Sequence, residues 1–153
     1  MRVSASVLID QPIREVWAFA TDPCCWTEWI TGTSTIRKTW SGNLDVGATF
    51  RQEETSASHW HDSAWEVTEY EPPRVFACRR VSEPGGALRL LFEALSASTQ
   101  VTLVSEEAAG MFVRGPEVER AALDRMERDL ARLKQRLEKH GVQSVVPSLS
   151  PAN

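Results

Sequence analysis

The sequence carries no basic run, no long apolar run and no pairable set of cysteines, and each absence removes a class of protein. Its 17 basic residues are outnumbered by 21 acidic ones, for a net charge of -4. With no basic stretch interleaved with aromatics, the electrostatic footprint of a nucleic-acid binder is missing and no nucleic-acid partner is expected. The apolar runs fall far short of the ~18 residues a spanning helix needs. The opening MRVSASVLID also lacks the charged-then-apolar layout of a signal peptide, so a cytoplasmic chain with no membrane span is expected. Cys24 and Cys25 are adjacent and Cys78 stands alone, which is neither a disulfide framework nor a C-x2-C zinc spacing. Free thiols behaving as small apolar residues are expected. No internal repeat and no cofactor motif is present.

What is there fits one domain. A chain of 153 residues with 42% hydrophobic side chains can bury a core of its own. Val3, Ala5, Val7 and Ile9 alternate with Arg2, Ser4, Ser6 and Leu8, predicting a first strand buried on one face. Asp10 or Gln11 as cap, Pro12 at the first helical position and Ile13, Val16, Trp17 and Ala20 at helical spacing predict a short helix. "DPCCWTEWI" predicts a second, with Trp26, Trp29 and Ile30 on one face. From Ser34 the period becomes two, and six strands are expected around 34–40, 48–55, 60–70, 74–81, 87–95 and 99–107. Their connections are too short for crossover helices, so neighbours in sequence should be antiparallel neighbours in the sheet.

The strongest signal is a helix over 116–140. Pro116 suits the first position, Glu117 and Glu119 the positive first turn, and Lys134, Arg136, Lys139 and His140 the negative end before Gly141. Val118, Ala122, Met126, Leu130, Leu133 and Leu137 draw an apolar stripe along about 37 Å of helix. The sheet is the partner large enough to cover it. A domain over 1–141 followed by a flexible tail over 142–153 is expected.

This order of elements, with the stretches "DQPIREVWAFATDPCCWTEW", "VGATFRQE" and "WEVTEYEPPRVFACR", resembles the START-like or SRPBCC superfamily, specifically its polyketide cyclase/dehydrase and lipid transport group. The resemblance spans roughly residues 3 to 140. It implies an α+β helix-grip fold: a curved seven-stranded antiparallel sheet wrapped around the long C-terminal helix, two short helices after strand one, and a cavity between sheet and helix. It does not fix an activity, because members include carriers and regulators as well as cyclases, and none of the three stretches is a catalytic signature.

Strand parity then tests which residues face inward. In "HWHDSAWEV", Trp65 and Val67 mark the set His59, His61, Ser63, Trp65 and Val67 as the inner one. A hairpin centred on Ala57 and Ser58 sets Glu54 opposite His61, Gln52 opposite Ser63 and Phe50 opposite Trp65. Across the Glu71-Pro72-Pro73-Arg74 turn, Val67 should pair with Cys78, Trp65 with Arg80 and Glu69 with Phe76. The inner face is then mixed, with Gln52, Glu54, His61, Glu69 and Arg80 among apolar neighbours. Buried charges without partners are costly, so a solvated pocket is one resolution and a slipped register or a bulge that turns them outward is the other.

The candidate ligand-binding residues are Trp26, Trp29, Phe50, Gln52, Trp65, Val67, Phe76, Cys78, Phe92, Met111, Phe112, Met126 and Leu130. Met111 and Phe112 stand on a glycine-bounded loop that either closes the cavity or plugs the core. His61 with Glu54 forms an acid–base pair or a rim ion pair, and Arg80 over Trp65 either meets a ligand oxygen or snorkels outward. His59-x-His61 lacks an evident third ligand, so no metal site is expected. Binding of a small hydrophobic or aromatic ligand, polyketide- or lipid-like, is favoured. A cyclase/dehydrase-type enzyme using His61, Glu54 and Arg80, and a regulatory protein with a vestigial cavity, are the alternatives. The chain is expected to be a monomer or a homodimer.

Overall fold

The computed structural model describes residues 1–56, 59–82, 85–107 and 115–149, with side chains described for all of these except 56, 59–61 and 140–149. Seven antiparallel strands form one curved sheet: β1 (Arg2–Ile9), β2 (Thr33–Lys38), β3 (Thr49–Ser56), β4 (His59–Glu71), β5 (Val75–Arg80), β6 (Gly86–Leu95) and β7 (Ser98–Glu107). Their order across the sheet is β1-β7-β6-β5-β4-β3-β2. The meander from β2 to β7 pairs each strand with its successor, as the short turns require. β1 sits at the opposite edge from β2. Between them, α1 (Ile13–Ala20) and a 3-10 helix (Pro23–Glu28) carry the chain from one edge to the other. The second helix is thus of the tighter 3-10 form. Asp22 caps it, its carboxylate accepting from the Cys24 amide at 3.0 Å, and Trp26 and Trp29 are both buried as their spacing requires.

The long helix α2 (Pro116–Leu149) packs along β1 and touches the 3-10 helix. Met126, Leu130, Leu133 and Leu137 are buried, whereas Val118 and Ala122 nearer the start of α2 are half-buried. The helix continues past Gly141, where the sequence placed its end. A helical glycine costs about 1 kcal/mol relative to alanine but does not by itself stop a helix. Polar ties fix the later turns: Lys134 Nζ donates to the Leu8 carbonyl and to Glu138, both at 2.7 Å, and Arg136 pairs with Glu28 at 2.7 Å.

The β3–β4 register is the expected one, with Phe50 opposite Trp65, Gln52 opposite Ser63 and Glu54 opposite His61. Val67 pairs with Cys78 and Trp65 with Arg80, but Glu69 does not meet Phe76. A β-bulge between Val67 and Glu69 adds one residue to β4, which reverses parity beyond it. Tyr70 therefore takes the place opposite Phe76, while Glu69 turns to the convex face and pairs with Arg89 at 3.0 Å. Both residues flank Ala77 in the ladder, and Ala77 is 6% exposed beneath them.

Candidate functional site

Along the concave face three strands change from apolar to polar toward the same end of the sheet. β3 runs Phe50, Gln52, Glu54; β5 runs Phe76, Cys78, Arg80; β7 runs Val101, Leu103, Ser105, Glu107. At the apolar end aromatic side chains pack against one another in the core. Trp17 meets Phe92 edge-on at 5.1 Å and Tyr70 at 5.6 Å, and Trp26 meets Phe50 edge-on at 5.3 Å and Phe76 at 6.2 Å. At the polar end a cavity of about 430 Å³ opens between sheet and α2. Its walls include Val3, Trp26, Ile30, Trp65, Leu88, Leu103 and Met126 on the apolar side, with Thr31, Gln52, Glu54, Ser63, Arg80, Ser105, Glu107, Arg125 and Asp129 supplying polar groups. The volume lies within the usual range for small-molecule pockets.

Several sequence candidates stand on this wall: Trp26, Gln52, Glu54, Trp65, Arg80 and Met126. Others do not. Trp29, Phe50, Val67, Phe76, Cys78, Phe92 and Leu130 belong to the packed core, because the cavity occupies only the polar end of the face that parity identified. Burial pushes the Cys78 thiol well above its ordinary range, so it is an apolar filler there. The two thiols of the 3-10 helix are also held protonated: burial, then the Asp22 charge, raise Cys25 to about 11 and shift Cys24 upward. His61 occupies the ladder position opposite Glu54, but the side chains of His59 and His61 lie outside those described. Met111 and Phe112 fall outside the described residues altogether.

Two polar constructions shape the wall. The Trp65 indole N–H donates to Gln52 Oε1 at 2.9 Å, and Gln52 Nε2 donates to the Thr33 hydroxyl at 2.7 Å. Gln52 is 3% exposed, and this relay satisfies it. Trp65 is itself sandwiched, with Phe50 stacked at 6.5 Å on one side and the Arg80 guanidinium 4.9 Å from its ring centre. Arg80 Nη1 donates to the Gly85 carbonyl at 3.0 Å, and its buried Nε has no partner among the described residues. No carboxylate among those residues lies within 4.0 Å of this guanidinium. Across the cavity Asp129, on α2, is buried and holds Thr31. Sequence reasoning passed over Asp129, although an acid three residues after Met126 on the edge of an apolar stripe is a usable signal. Among the described residues no three His, Cys, Asp or Glu side chains converge as metal ligands, and no helix is long and apolar enough to cross a membrane.

The profile of the family described as polyketide cyclase/dehydrase and lipid transport matches residues 1–138. The chain belongs to that family. Among solved structures, a START superfamily protein from Mycobacterium smegmatis superposes with a TM-score of 0.78 at 14% identity, over 90% of this chain and 97% of that one. The Zhui aromatase/cyclase from a Streptomyces species superposes with a TM-score of 0.71 at 17% identity, over 91% of this chain and 94% of that one. At these identities the likeness shows the helix-grip fold alone. No curated protein matches by sequence.

Proposed function

We propose that this family member binds a small apolar or aromatic molecule bearing a carbonyl or carboxylate oxygen in the cavity between sheet and α2. The observation that carries this reading is Arg80. Its guanidinium lies over Trp65, is held by one backbone carbonyl, borders the cavity and has no carboxylate partner among the described residues. A guanidinium whose donors are only partly matched costs free energy that a ligand oxygen recovers. Stacking on Trp65 fixes its direction before the ligand arrives, which limits the ordering cost of binding.

Native mass spectrometry of freshly purified protein should find a retained small molecule. In dye-displacement titrations, 2-naphthoate should compete better than 2-methylnaphthalene. Arg80→Gln should weaken 2-naphthoate by tenfold or more, about 1.4 kcal/mol, and leave 2-methylnaphthalene unchanged. Equal loss for both probes would remove the role given to Arg80.

A cyclase reading draws on the same wall, where Glu54 and Arg80 border one cavity. Arg80 would hold an enolate oxygen while His61, oriented by Glu54, removes an acidic α-proton of a bound poly-ketone chain. Turnover of such a chain that His61→Ala abolishes would favour this reading over binding alone.

A further inference from the structure

Asp129 differs from the other carboxylates of the cavity in how its two oxygens are used. It is 6% exposed, and α2 sets it three residues after Met126 at the edge of the apolar stripe. Its Oδ1 accepts from the Thr31 amide at 3.0 Å, from the Thr31 hydroxyl, and from Arg132 Nη2 at 2.6 Å. Arg132 also donates to the Thr31 hydroxyl. Every one of these bonds falls on the same oxygen. A carboxylate has about four acceptor sites, and among the described residues none of the donors reaches Oδ2. Nor is Oδ2 sealed away unpartnered, as Trp29 Nε1 is. Asp129 borders the cavity beside Trp26, Ile30, Thr31 and Met126.

Resting on the cavity-binding reading above, we propose that Asp129 is a specificity determinant whose Oδ2 accepts a hydrogen bond from a hydroxyl group on the ligand. Arg132 already balances the carboxylate charge at 2.6 Å, so the free oxygen suits a neutral donor better than a second cation. The three bonds on Oδ1 fix the carboxylate's direction. An analogue without the hydroxyl leaves a buried acceptor unmatched, and such sites discriminate more sharply than apolar contacts do. With Arg80 taking a carbonyl or carboxylate oxygen from the sheet side, the ligand class narrows to hydroxylated aromatic or polyketide-like carbonyl compounds.

Two probes that share the naphthyl oxygen but differ in whether it carries a proton to donate test this: 2-naphthol and 2-methoxynaphthalene, each titrated against a bound apolar dye. The wild-type protein should prefer 2-naphthol. In Asp129→Asn the amide oxygen keeps the Thr31 and Arg132 bonds while an N–H2 replaces Oδ2, so the preference should fall at least fivefold. Should that variant not fold, carbon NMR of aspartate-labelled wild-type protein decides. The Asp129 carboxyl signal should shift with 2-naphthol and stay put with 2-methoxynaphthalene. Equal affinity for the two probes in the wild-type protein, or a preference that survives Asp129→Asn, would overturn the assignment. Failure of both probes to displace the dye would sink the cavity-binding reading along with it.

Discussion

Trp65 shows how one side chain ties stability to the site. Its ring lies between Phe50 and Arg80, and its N–H orients Gln52, so the same residue contributes to the core and sets the geometry of the wall. Trp65→Phe keeps most of the buried area but withdraws the donor from Gln52 Oε1, in a residue 3% exposed. A loss of about 1–3 kcal/mol in urea unfolding is expected from the unmatched acceptor. A change under about half a kcal/mol would mean that Gln52 finds another donor at little cost. Leu130 makes the simpler case. It is 1% exposed on α2, and Leu130→Ala should cost about 2–5 kcal/mol, as truncation of a core leucine does.

Among the elements, α2 is held unevenly. Its later turns are tied to β1, the 3-10 helix and the corner before α1, whereas its first turns border the cavity and carry only half-buried Val118 and Ala122. Glu138 is central to the tied part, accepting from the Asp10 amide at 2.8 Å and from Lys134. Burial alone pushes its carboxyl up, but the bonds from Lys134 and Asp10 and the Lys134 charge outweigh that and hold it below its ordinary 4.5. A carboxylate with a lower pKa folded than unfolded stabilises above the unfolded value and loses that contribution as pH falls through the folded one. Unfolding free energy measured from about pH 6 down to about pH 3 should therefore decline below the ordinary carboxylate range, and Glu138→Gln should remove part of the decline. An unchanged acid profile in the variant would show that other carboxylates carry it.

For the whole molecule, the cavity and the core share one concave face. A ligand that binds only the folded state should raise its stability, by about 2.7 kcal/mol at a hundred times its Kd. Ser105→Trp, at a half-buried position on the cavity wall, should abolish that gain and dye binding while the midpoint of the unliganded protein changes little. A normal dye affinity in this variant would place the binding site elsewhere. The element order, the β3–β4 register and the inward parity of Phe50, Trp65, Cys78 and Arg80 are legible in the sequence, because a period of two and tight turns leave few alternatives once one face is apolar. The gradient from Phe50 to Glu54 and from Val101 to Glu107 is written there as well, and charge at the same end of the inner rows of β3, β5 and β7 marks where water must enter. A bulge was an open alternative from the sequence, but its place between Val67 and Glu69 was not legible, since one extra residue leaves no mark in a strand whose two faces both carry polar groups. Nor was the partition of the inner face into packed core and cavity, which moved Phe50, Phe76 and Phe92 from ligand wall to packing. That division depends on how close α2 lies to the sheet along its length, and on Asp129 finding Thr31 across 98 positions of chain, distances that only the assembled fold defines.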